Sequence, residues 1–176
     1  MRDKPSSRGL VAAALLASAA SWAPAGDETK LTFRVLIRDA ATTASVRAAL
    51  RGAARRLSRP GCTHLLAEFS DAAGRPLQEN LDTLGYDAPA YLSIVVFADG
   101  SVDARCQDPE KLAFTKPGSR VVFVCPQFRE AQWQKPNRAE AVLIHEALHT
   151  LGLGENPPSS GTITERVIAR CGRAEK

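Results

Sequence analysis

Beyond residue 25 the chain has no apolar run long enough to span a bilayer, which excludes a membrane-embedded domain from that part of the sequence. It has no C-x-x-C pair, so its four cysteines lack the spacing of a zinc ribbon. It also lacks a strong charge bias. Lys and Arg total 23 against 19 Asp and Glu, a formal net charge of +4, and a nucleic-acid partner is not implied. Methionine occurs once, at Met1, and histidine three times, at His64, His145 and His149. The 176 residues suffice for one domain with a proper core and are too few for two. Hydrophobic content of 44% and charged content of 24% are ordinary for a soluble globular protein.

The first 25 residues differ in kind from the rest. Arg2, Lys4 and Arg8 precede an uncharged Ala- and Leu-rich run from Gly9 to Ser21, and Ala23-Pro24-Ala25 offers small residues for cleavage before Gly26. This predicts a secretory signal over residues 1–25 and a single domain over 26–176. Its removal takes away Arg2, Lys4, Arg8 and Asp3, leaving a mildly basic mature protein that is secreted or periplasmic. The run is too short and too rich in alanine and serine for a stable membrane span. Export agrees with the cysteines, which are even in number and all mature: Cys62, Cys106, Cys125 and Cys171. Three pairings are possible. Cys106–Cys125 with Cys62–Cys171 is favoured, because the second bridge would pin a C-terminal helix to the sheet.

The most informative stretch is His145-Glu146-Ala-Leu-His149-Thr-Leu-Gly152-Leu-Gly-Glu155. Histidines four apart on a helix lie about 40° apart around the axis and roughly 6 Å along it, so both imidazoles can reach one ion. Glu146 projects near the same face. Leu143, Ala147, Leu148 and Leu151 supply the apolar bulk of a buried helix, and Gly152 can enter the left-handed region that ends it and turns the chain back toward the histidines. Zn²⁺ held by two neutral imidazoles and a carboxylate keeps a position open for water, whose proton a nearby carboxylate can take. The candidate ligands are His145, His149 and Glu155, with Glu146 as catalytic base. The alternative is a disulfide-stapled domain whose histidines are satisfied core residues.

The run His145-Glu146-x-x-His149-x-x-Gly152-x-x-Glu155 resembles the zincin metallopeptidases, specifically the metzincin pattern. It departs from that pattern in two respects: Glu155 stands where His or Asp is usual, and the methionine turn is absent. The resemblance implies a Zn²⁺ cofactor, a peptide or protein substrate, and an edge strand that binds extended substrate. Another zincin branch takes its third ligand from a later helix, which makes Glu165 the rival of Glu155. Glu155 is preferred, because Glu165 fits a capping box with Thr162.

Along the chain, Lys30–Arg38 alternates as a first strand, with Leu31, Phe33, Val35 and Ile37 on one face, and leaves no room for a folded pro-segment before it. Thr43–Leu57 predicts an amphipathic helix with Val46, Leu50, Ala53 and Leu57 inward and a solvated stripe of Arg47, Arg51 and Arg55. Cys62–Ser70 is expected as a second strand, with His64 structural, and Asp71–Ala90 as a connection holding a helical turn at Leu77, Leu81 and Leu84. Tyr91–Ala98 is expected as a buried central strand, followed by an Asp99-Gly100 hairpin turn and a Ser101–Cys106 edge strand beside the cleft. Arg120–Cys125 is the last strand. Phe128 and Trp133 pack the approach to the metal helix, which is expected from an Asn137/Glu140 capping pair to about Leu151. A C-terminal helix spans Ile163–Cys171.

These elements predict an α+β fold: a mixed twisted sheet of four to five strands with an amphipathic helix, an active-site helix and a short C-terminal helix. The first functional reading is a secreted zinc metallopeptidase. About 21 residues follow Glu155, and both tyrosines, Tyr86 and Tyr91, lie upstream, so no tyrosine is left there to act as an oxyanion donor. The alternative is therefore a zinc-stabilised, non-catalytic zincin-like binding module.

Overall fold

The computed structural model describes Met1 and residues 31–172; the expected signal over 1–25 lies outside the described residues apart from Met1. Among the described residues the fold is α+β, with six helices and an open, mixed four-stranded sheet. Strand β1 (Arg34–Leu36) leads into helix α1 (Ala40–Leu57); α2 (Leu77–Thr83) and α3 (Ala88–Tyr91) follow, then β2 (Val96–Asp99), β3 (Ala113–Phe114) and β4 (Val121–Val124). Three helices complete the chain: α4 (Phe128–Gln134), α5 (Pro136–Thr150) and α6 (Ser160–Cys171). The sheet order is β1-β2-β4-β3, with β1, β2 and β4 parallel and β3 antiparallel at the edge. Among the described residues no helix is long and apolar enough to cross a membrane.

Helix α1 buries the expected Val46, Leu50, Ala53 and Leu57, and Asp39 caps it by accepting from the Thr42 N–H at 2.7 Å. Arg51 and Arg55 are exposed, while Arg47 is half-buried and donates to the Phe33 carbonyl at 3.2 Å. Arg56 turns inward instead. Its guanidinium pairs with Glu140, donates to Asn137 Oδ1 at 2.6 Å, and reaches the Cys171 and Gly172 carbonyls at 2.9 and 3.1 Å. One buried side chain thus joins α1, the first turn of α5 and the end of α6. Gly52 makes room for this: a Cβ there would collide with the Glu140 side chain.

Three expected strands fold otherwise. In Cys62–Ser70 the buried residues are Cys62, Leu65, Leu66 and Phe69, a spacing of three and four rather than two, and the segment forms turns and a 3₁₀ helix at Leu65–Glu68. Tyr91, Leu92 and Val95 likewise recur at helical spacing, and Asp87 accepts from the Ala90 N–H ahead of them, so α3 and its following turns replace the first half of that strand. Ser101–Cys106 cannot pair with β2, whose two edges are already taken by β1 and β4; it forms a turn and a 3₁₀ helix at Ala104–Gln107. The antiparallel edge strand is β3, at Ala113–Phe114. Gln127 Nε2 steadies the chain leading into it, donating to the Asp108 and Lys111 carbonyls at 2.7 Å each.

Both favoured disulfides are present, Cys62–Cys171 and Cys106–Cys125. The first ties α6 to the turn after α1 rather than to the sheet. Helix α5 starts at Pro136 with no side-chain cap, because Asn137 and Glu140 are engaged by Arg56. Helix α6 is capped by Ser159, whose hydroxyl accepts from the Thr162 N–H at 3.2 Å, and not by a Thr162/Glu165 box. Phe128 is fully buried; Trp133, at 81% exposure, packs nothing at the approach to α5.

Candidate metal centre

Helix α5 is buried along its second half, which leaves both histidines 4% exposed and Glu146 7% exposed. The helix ends as the chain expects. Gly152 has a φ of 111°, which a β-carbon would disfavour, and the turn is held from outside by Asn80, which donates to the Leu151 carbonyl at 3.0 Å. Asp71 in turn accepts from Asn80 at 3.0 Å and bridges Leu153. This stretch between Asp71 and Asn80, expected to be a bare connection, therefore braces the turn that brings Glu155 back.

His145 Nε2 and His149 Nε2 lie 3.0 Å apart, and Glu155 Oε1 is 3.3 Å from His149 Nε2 and 3.8 Å from His145 Nε2. An ion about 2.0–2.1 Å from each of three tetrahedral donors needs those donors roughly 3.3 Å apart. The three separations bracket that value, so the group can hold a metal ion.

The outer nitrogens strengthen this. His149 Nδ1 meets the Leu153 carbonyl at 2.7 Å. A carbonyl only accepts, so the proton sits on Nδ1 and the Nε2 lone pair faces the centre. His145 Nδ1 meets the Thr164 hydroxyl at 2.9 Å, a partner that allows the same tautomer. In that tautomer both Nε2 lone pairs face one point, which a cation between them satisfies; in the other, His145 Nε2–H donates to His149 Nε2 across the 3.0 Å gap. Burial lowers His145 to a pKa of about 4, assisted by His149 and opposed by Glu155, so it is neutral near pH 7.

Glu146 lines the same cleft, which has a volume of about 720 Å³. Burial raises its pKa to about 7; Lys111 opposes the shift, Glu155 adds to it, and the neighbouring Thr115 backbone N–H lowers it. The register explains why that N–H is turned toward Glu146. The Cys125 N–H donates to the Leu112 carbonyl at 2.9 Å and Phe114 pairs with Phe123, so in the antiparallel alternation Ala113 and Thr115 turn their backbone groups away from β4. The free edge of β3 thus faces the cleft, opposite Ser160, Gly161 and Thr164 of α6.

Glu165 also lines the cleft but is exposed on α6 and outside the His-His-Glu group, and His64 is exposed far along the chain in the turn before Leu65. No tyrosine lines the cleft: the Tyr91 hydroxyl is 2.9 Å from Thr150 Oγ1 within the core. The sequence reading missed Arg56, Thr115 and Thr164. Arg56 was findable, because it stands three residues beyond Ala53 on the buried stripe of α1. Thr164 carried no comparable signal. Comparison with protein-family models, curated proteins and solved structures finds no match to this chain.

Proposed function

We propose that the protein is an exported zinc metallopeptidase of zincin type, with residues 26–176 as its single domain and residues 1–25 as an export signal. The observation that carries the reading is the convergence of His145, His149 and Glu155 on one point, with Glu146 buried in the same cleft beside an open strand edge. A site that served structure alone has no use for a buried carboxylate beside its ligands. The donor set of two borderline imidazoles and one hard carboxylate suits Zn²⁺, and leaves a coordination position free.

Zn²⁺, when bound, supplies Lewis acidity that polarises a carbonyl and acidifies water. The chain's own groups do the rest. An extended peptide pairs with the outward N–H and C=O of Ala113 on β3, which sets the scissile bond along the cleft. Glu146 accepts a proton from the attacking water on its carboxylate and passes it to the leaving nitrogen. The neighbouring Thr115 N–H and Lys111 both favour its ionised form.

A second reading is a zinc-stabilised binding module without turnover, favoured by the lack of a tyrosine among the cleft-lining residues. Glu146→Gln separates the two. The peptidase reading expects one zinc per chain in both wild type and variant, with hydrolysis of a casein or peptide library lowered by about 10²–10⁴-fold in the variant. Zinc-loaded wild type inert on every peptide pool establishes the module instead.

A further inference from the structure

We infer that helix α6 belongs to the metal centre, with Thr164 as the residue that positions His145; the inference rests on the zinc reading above. The sequence draws attention to Glu165 as the acidic group α6 could contribute, yet Glu165, exposed at the cleft, lies outside the His-His-Glu group. Its neighbour Thr164 faces the cleft, with its hydroxyl 2.9 Å from His145 Nδ1.

The two histidines are secured differently. His149 has a partner from its own turn, the Leu153 carbonyl, which comes with the end of α5. His145, a full turn earlier, has no such carbonyl and depends on a hydroxyl from nineteen residues further along the chain. A ring nitrogen keeps its proton where its own partner accepts it, so Thr164 accepting from Nδ1–H leaves Nε2 free to ligate and holds the ring's rotation.

That role requires α6 to be immobile, and it is anchored along its length. Ile163 and Val167 are fully buried, Cys171 is bonded to Cys62, Arg56 takes the Cys171 and Gly172 carbonyls, and Arg166 and Arg170 both pair with Glu68. The strongest of these restraints lie at the end of the helix away from the centre. Thr164 is thereby presented to His145 by a rigid support.

The test is zinc affinity by chelator competition on the mature protein, with wild type, Thr164→Val and Thr164→Ser compared. Val matches the shape of Thr without its hydroxyl; Ser keeps the hydroxyl. The dissociation constant is expected to rise by about 10–100-fold in Thr164→Val and to stay within about threefold in Thr164→Ser. The metal-free proteins should melt together, since a positioning contact contributes little without the ion. In ¹⁵N spectra of the zinc-loaded proteins the His145 Nδ1–H should exchange faster with solvent in Thr164→Val, while the His149 Nδ1–H, held by Leu153, stays protected. Thr164→Val with wild-type affinity and unchanged His145 exchange overturns the role of Thr164 and leaves the zinc reading standing. Wild type that binds no zinc overturns the zinc reading, and this inference with it.

Discussion

The residues at the centre owe their chemistry to burial. Glu146 and His145 are displaced in opposite directions by it, one upward to about 7 and the other downward to about 4. Their consequences for metal-free stability are opposite too. Glu146 is raised above its ordinary value of 4.5, so its contribution is fully present below about pH 4.5 and is lost as pH rises through about 7. His145 is depressed below 6.5, so its contribution is present above about pH 6.5 and is lost as pH falls through about 4. The two trends oppose each other in wild type, so metal-free Glu146→Gln is expected to gain melting temperature relative to wild type as pH rises from about 4.5 to about 7, while both lose stability on the acid side. Parallel thermal melts across that range check it; a difference between the two proteins that does not change with pH would show that Glu146 is not buried as described. The histidine and glutamate identities were legible in sequence because four-residue helical spacing dictates which side chains share a face. Thr164 was not, because nothing local relates it to His145.

At the scale of elements, the helices were read more faithfully than the strands. A helix is announced by a stripe of apolar positions that its own hydrogen bonds already support, as in Val46, Leu50, Ala53 and Leu57. A short strand takes its meaning from neighbours. Ser101–Cys106 follows a good hairpin turn, but β2 had no edge left for it. The contact of α1 with α5 gives a prediction whose sign is contested. Gly52→Ala would gain about 1 kcal/mol of helix propensity, yet its Cβ would meet the Glu140 side chain, which is pinned by the buried Arg56. Displacing Glu140 exposes a buried charge to an imperfect partner, so the variant is expected to be less stable by about 1–3 kcal/mol. Chemical denaturation measures this, and a stabilised variant would show that Glu140 moves aside freely.

For the whole molecule, the two bridges differ in how much chain they close. Cys62–Cys171 spans a sequence separation of 109 and Cys106–Cys125 one of 19. Loop-closure entropy then assigns about 4–5 kcal/mol to the first and about 3 kcal/mol to the second. Cys62→Ala/Cys171→Ala should therefore lose more stability than Cys106→Ala/Cys125→Ala in denaturant unfolding. It should also bind zinc more weakly, because the bridge anchors the helix that carries Thr164. Equal losses in both measures would detach that bridge from the centre.

From the sequence alone followed the His-His-Glu group and its neighbour Glu146, the α+β class, the amphipathic α1 and a favoured pairing of the cysteines, because each depends on spacing within one segment or on a choice among three combinations. The tertiary structure alone decided that β3 forms the cleft edge, that Arg56 joins three helices, and that a threonine from α6 completes the support of His145. Those are contacts between segments distant along the chain, and their partners are selected by which edges and faces remain open once the core has packed.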